Sequence, residues 1–146
     1  MLEYFIHLGI IITIYIILVT SLNLALGFTG LLNLGHIAFF GIGAYTSALL
    51  VKAGVPFLGA FVAAALIAAF FGYVLVLATR KLKGDYLALT TLGFSFVIYS
   101  VLLNWVSLTR GPLGIPGIPK PSFFGYTLLA NETYLVFSVL VCILVS

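Results

Sequence analysis

The stretch GFTGLLNLGHIAFFGIGAYTSALL, Gly27 to Leu50, holds five glycines, one asparagine and one histidine, and no Lys, Arg, Asp or Glu. It lies within a longer run, residues 4–51, that is equally free of those four residue types. A membrane-spanning helix needs about 20 consecutive apolar residues, so the run has room for two. Glycine weakens a helix by about 1 kcal/mol relative to alanine. Gly27 and Gly30 therefore mark the break, and the spacing predicts one span over about Tyr4 to Leu26 and a second over about Leu31 to Val51.

The rest of the chain repeats the pattern. Residues 53–79 and 86–109 are free of Lys, Arg, Asp and Glu and have room for one span each, and the residues after Glu132 remain apolar to Ser146. The expected fold is all-α: a polytopic transmembrane helix bundle of about four complete spans plus a truncated fifth. Residues 1–146 form a single membrane domain, with an external Pro/Gly-rich segment at 106–133. Composition agrees, since 64% of the residues are hydrophobic and 6% charged, against about a quarter charged in a soluble domain. Six Lys and Arg are too few for a stripe that tracks phosphates, so no nucleic-acid partner is expected. Cys142 is the single cysteine, which excludes an intrachain disulfide or a cysteine metal site. The first span lacks the basic residues that precede the apolar core of a signal peptide.

Small residues indicate which faces pack. In the third span, Gly59 and Ala63 lie four apart, as do Ala60, Ala64, Ala68 and Gly72, and such spacing lets helix backbones approach closely in lipid. Gly41 and Gly43, beside the pairs Gly43/Ser47 and Ala44/Ala48, predict another contact face. In the fourth span, about Tyr86 to Trp105, Thr91, Ser95 and Tyr99 share one face. The turn RKLKGDY, Arg80 to Tyr86, has three basic residues within four positions, and the positive-inside rule places it in the cytoplasm. The N-terminus and residues 106–133 then lie outside, together with Lys52, Arg110 and Lys120. If the second segment does not cross fully, the N-terminus is cytoplasmic instead. Pro112, Pro116, Pro119 and Pro121 forbid regular helix through the external segment, and Leu113, Ile115 and Ile118 are its expected apolar anchors. Arg110 and Lys120 are candidate contacts for an acidic docking partner.

No phosphate-binding loop, metalloprotease helix, nucleophile elbow or intramembrane carboxylate pair is present. No catalytic, cofactor-binding or metal-binding residues are assigned. A proton-driven carrier usually buries ionisable groups near the bilayer midplane, and His36 is the single one at such a depth. Asn33 and His36 share a helix face, and Asn23 could meet them across the Gly27–Gly30 break. Three accounts stay open: these side chains satisfy backbone groups freed by the break, they line a wet translocation path, or the histidine serves a metal or a reaction.

Three blocks carry a family resemblance. SLNLALGFTGLLNLGHIAFFGIGAYTSALL, Ser21 to Leu50, resembles the permease subunits of bacterial branched-chain amino acid ABC importers, the Liv family. LKGDYLALTTLGF, Leu82 to Phe94, and GPLGIPGIPKPSFFG, Gly111 to Gly125, are similar in order and spacing to its M-type subunit. The resemblance implies a multi-pass protein of the bacterial inner membrane that pairs with a second, H-type permease subunit. Cytosolic ATPase subunits and a periplasmic substrate-binding protein would complete the importer, with no cofactor on the permease itself. Family members are longer, with further spans and a cytosolic coupling loop, so the chain is expected to correspond to the N-terminal part of such a permease. Two alternatives are half of an inverted-repeat secondary carrier, which would need an ion-coupling site, and a non-transporting truncated remnant.

Overall fold

The computed structural model describes residues 1–30, 33–118, 122–123, 126–127 and 131–145. Among these residues the helices follow in the order α1 (Leu2–Thr29), α2 (His36–Lys52), α3 (Phe57–Thr79), α4 (Asp85–Asn104), α5 (Val106–Thr109) and α6 (Asn131–Val145). A 3-10 turn occupies Gly111–Leu113, and two-residue strands β1 (Ser122–Phe123) and β2 (Tyr126–Thr127) pair antiparallel. The helical architecture expected from the charge-free runs is the one observed.

Among the described residues, three helices are long and apolar enough to cross a membrane: Leu2–Phe28, Phe57–Thr79 and Asp85–Asn104. The second helix is shorter than expected. It begins at His36 and has 17 residues, about 25 Å of rise against a hydrocarbon core of about 30 Å. The break also falls differently. Gly27 remains helical, because in an apolar setting an interrupted hydrogen-bond ladder costs more than the glycine penalty. Gly30 ends α1 in the left-handed conformation, φ 61°, donating its N–H to the Leu26 carbonyl at 2.8 Å.

The chain divides into two compact units, one holding α1, α6 and the strand pair, the other holding α2 to α5. In the first, α1 packs on α6. Gly9 makes the approach close, since a Cβ there would meet Leu135 Cδ1 at 2.8 Å. Thr13 and Ser138 are buried. Their hydroxyls donate to the Gly9 and Leu135 carbonyls of their own helices, both at 2.8 Å, so neither donor is orphaned.

In the second unit, α2 and α3 form a tight pair joined through Gly54, φ 91°, and Pro56. The buried core is Ala38, Ile42, Ala60, Ala64 and Leu75. The packed face of α3 is thus the Ala60/Ala64 row. Gly59 and Ala63 lie beside it, Gly59 exposed and Ala63 half-buried, and a Cβ on Gly59 would meet Val55 and Pro56 of its own approach loop. Helix α4 starts after Gly84, φ 60°, with Asp85 in its first turn, where a carboxylate suits the helix dipole.

Thr109 closes the far end of α4. Its buried hydroxyl lies 2.5 Å from the Leu102 carbonyl and 2.9 Å from the Trp105 carbonyl, and accepts the Gly111 N–H at 3.2 Å. The Leu102 carbonyl and the Gly111 N–H are groups the ending helix would leave unpaired, whereas the Trp105 carbonyl also accepts the Leu108 and Thr109 N–H groups. The segment expected to be non-helical therefore opens with α5 and a 3-10 turn. Pro112 fits there because the first helical positions have no intrahelical N–H bond to lose. The expected apolar anchors divide: Ile115 is half-buried, whereas Leu113 is 89% and Ile118 48% exposed. A different tie holds the segment, Lys52 Nζ donating to the Pro116 carbonyl at 3.5 Å.

Candidate functional site

The non-helical residues Asn33 to Gly35 dock against the first half of α4. The Leu34 N–H donates to Thr91 Oγ1 at 3.1 Å, and the Leu34 carbonyl accepts from Ser95 Oγ at 2.9 Å. One residue's backbone is thereby satisfied at both ends by hydroxyls one helical turn apart. The Gly35 N–H donates to Asn33 Oδ1 at 2.9 Å. Gly35 is buried where three elements converge: a Cβ there would meet Asn33 Oδ1 at 3.0 Å, and Leu75 of α3 and Thr91 of α4 at 3.5 Å.

This geometry refines the sequence reading. Asn33 Oδ1 accepts the Gly35 N–H, one of the three accounts left open by the sequence. His36 is the half-buried first residue of α2. The main satisfaction comes from Thr91 and Ser95. Their shared face was legible, but nothing in the local pattern linked it to a loop 57 residues away in the chain. Asn23 is an exposed residue of α1.

Ser95 stands ten residues into a twenty-residue helix, about 15 Å along an axis of about 30 Å. With α4 spanning the bilayer, unwound backbone lies near mid-depth. Non-helical backbone at that depth is tolerated where protein buries it or where it lines a polar cavity. A cavity of about 220 Å³ begins at the same serine. Ile37, Ala38, Gly41 and Tyr45 of α2 form one wall, and Ile98, Tyr99, Leu102 and Leu103 of α4 the other. Phe39 of α2 and Phe94 of α4 also meet across the two helices, their rings tilted by 36° with centroids 5.6 Å apart.

The two small residues assigned to packing in α2 separate. A Cβ on Gly41 would touch Leu102 Cδ1 at 3.5 Å, whereas one on Gly43 would meet nothing within 4 Å. Ser47 is half-buried on the same helix. Arg110 is exposed and takes a left-handed conformation, φ 58°. Lys120, its expected companion, lies outside the described residues. Among the described residues no three His, Cys, Asp or Glu side chains gather as metal ligands would.

A helical membrane protein with an unwound, hydroxyl-held segment beside a small cavity is the class these features define. Residues 4–146 match the family model described as branched-chain amino acid transport system / permease component, and the chain belongs to that family. It is 48% identical over 113 residues to the high-affinity branched-chain amino acid transport system permease protein LivM of Escherichia coli (strain K12). It is 47% identical over the same length to LivM of Salmonella typhimurium (strain LT2). Each alignment takes in 77% of this chain and 27% of the relative, so the chain spans about a quarter of those permeases. No solved structure matches it.

Proposed function

We propose that this chain builds part of the translocation path for branched-chain amino acids in an ATP-driven importer of the bacterial inner membrane. The single observation that carries the reading is the 48% identity to a high-affinity branched-chain amino acid permease across 113 residues. The structure supplies a physical counterpart: unwound backbone near mid-depth of α4, with Asn33, His36 and the Thr91/Ser95 face beside it.

In this reading a second permease subunit of H type pairs with the chain, separate cytosolic subunits hydrolyse ATP, and a periplasmic binding protein delivers substrate. Four crossings place the Arg80–Lys83 turn in the cytoplasm and residues 106–133 outside, within a single membrane domain. Arg110 and Lys120 then face the binding protein, where complementary charge chiefly raises association rate.

The test is a chimera. The segment of Escherichia coli LivM that aligns with this chain is exchanged for this chain's own, and leucine uptake is measured in a strain lacking LivM. ATP-dependent uptake is expected. A chimera that inserts and assembles yet takes up no leucine would overturn the reading. Uptake abolished by a protonophore but indifferent to ATP depletion would assign a secondary carrier instead.

A further inference from the structure

The Ser95 hydroxyl lies 2.9 Å from the Leu34 carbonyl and 3.2 Å from the Thr91 carbonyl. A serine hydroxyl carries one proton, so it donates fully to one of these acceptors at a time. Thr91 differs. Its Oγ1 accepts the Leu34 N–H at 3.1 Å while donating to the Ala88 carbonyl at 2.9 Å, and these roles do not compete. Thr91 is moreover 2% exposed, whereas Ser95 is half-buried and lines the α2–α4 cavity.

We infer that Thr91 and Ser95 are positioning residues that act as a latch on the unwound segment, with Thr91 the fixed anchor and Ser95 the moving part. With the Ser95 proton on the Leu34 carbonyl, the segment Asn33–Gly35 is held at both ends. With that proton turned to the Thr91 carbonyl, the hydroxyl keeps a partner inside its own helix, so opening orphans no donor. The Leu34 carbonyl is then free to accept from water or from a passing ammonium group. A two-state element of this kind needs two arrangements of similar free energy, and a hydroxyl with two acceptors within reach provides them. The transport role of the latch rests on the permease reading; its existence does not.

The first arm of the test uses the full chain in lipid nanodiscs and follows amide hydrogen exchange at Leu34 and Gly35, residue by residue. Ser95→Ala removes the moving part. Exchange at both amides should rise roughly threefold to tenfold, the size of one interhelical hydrogen bond in a membrane, while amides near Val101 keep their protection. Ser95→Thr retains the hydroxyl and should match the parent. Ser95→Cys, close in size and a weaker donor, should fall between and decides the matter if the alanine variant fails to fold. Equal exchange in Ser95→Thr and Ser95→Cys, or unchanged exchange in Ser95→Ala, would overturn the latch.

The second arm is leucine uptake by the chimera. Ser95→Ala should change the maximal rate at least threefold with half-saturation unchanged, and Ser95→Thr should restore it. An unaltered rate in Ser95→Ala would overturn the positioning role. A chimera inactive with its parent sequence would count against the permease reading alone, leaving the exchange arm to decide the latch.

Discussion

The Leu34 amide and the Thr91 hydroxyl meet at 3.1 Å across 57 residues of chain. That contact is the reason α2 can start late. A helix beginning at Leu31 would satisfy its backbone internally; one beginning at His36 leaves the Leu34 backbone outside the helix, and α4 supplies an acceptor for its N–H and a donor for its carbonyl. Thr91→Val keeps the shape and removes the acceptor, leaving the part-buried Leu34 N–H without its partner. The expected loss is about 1–3 kcal/mol, read as a lower midpoint of denaturant unfolding in detergent by circular dichroism. Thr91→Ser should lose much less. Equal midpoints for Thr91→Val and the parent would show that the amide finds another partner.

Gly9 on α1 and Leu135 on α6 define the other close approach, with a Cβ at Gly9 placed 2.8 Å from Leu135 Cδ1. The clashing atom is the end of a flexible side chain, so Gly9→Ala should cost less than about 1 kcal/mol. Gly9→Phe asks for more volume than a rotamer change can yield, about 1–3 kcal/mol for overpacking. Leu135→Ala should return part of that loss in the double variant. Simple additivity of the two losses would mean that the residues do not touch.

Gly41 and Gly43 read alike in sequence, two residues apart on an apolar helix, and the structure separates them. Gly41→Leu should disturb the α2–α4 contact at Leu102 and lower folded yield, whereas Gly43→Leu should be tolerated in the chain alone. Yield and monodispersity by size exclusion are the measurement. A fall with Gly43→Leu alone would reverse the assignment.

The same pair shows how far sequence reading reaches. Charge-free runs located the helices because a charge inside a bilayer costs several kcal/mol, and that signal is local and large. The face of Thr91, Ser95 and Tyr99 was visible for the same reason, a spacing of four. Its partner was not, because a hydroxyl that bonds a distant backbone leaves no mark on the residues around it. On α3, two rows of small residues lie side by side, and which of Gly59/Ala63 and Ala60/Ala64 turns inward depends on helix rotation, which neighbouring elements set. Leu113 was expected to anchor its loop because it is apolar, but apolarity does not say what covers a side chain, and it stands 89% exposed.

Gly111 has two demands on it, a left-handed φ of 59° and a carbonyl, Leu103 O, only 2.6 Å from where a Cβ would sit. Gly30 has the first without the second, at φ 61° with nothing within 4 Å. Backbone strain alone costs about 1–2 kcal/mol, so Gly30→Ala should lose about that much. Gly111→Ala should lose more, since backbone must move, and the Thr109 cap would loosen with it. Thermal unfolding of both variants in detergent compares them. Equal losses would show that the 3-10 turn shifts freely.

The direction of α2 bears on topology. Leu34 sits beside Thr91 and Ser95, Gly41 beside Leu102, and Lys52 reaches the Pro116 carbonyl. Helices α2 and α4 therefore run the same way, and the Lys52 end lies with Ser107, away from the Arg80–Lys83 turn. The positive-inside rule puts that turn in the cytoplasm. In a Cys142→Ser background, single cysteines at Lys52 and Ser107 should react with a membrane-impermeant maleimide added to intact spheroplasts. A cysteine at Lys83 should react only after permeabilisation. All three positions are exposed in the chain, so burial does not favour one over another. Labelling at Lys83 with protection at both other sites would invert the orientation. Labelling at Lys83 and Lys52 together, with Ser107 protected, would contradict the parallel course of α2 and α4, and with it the seating of Leu34 against the middle of α4.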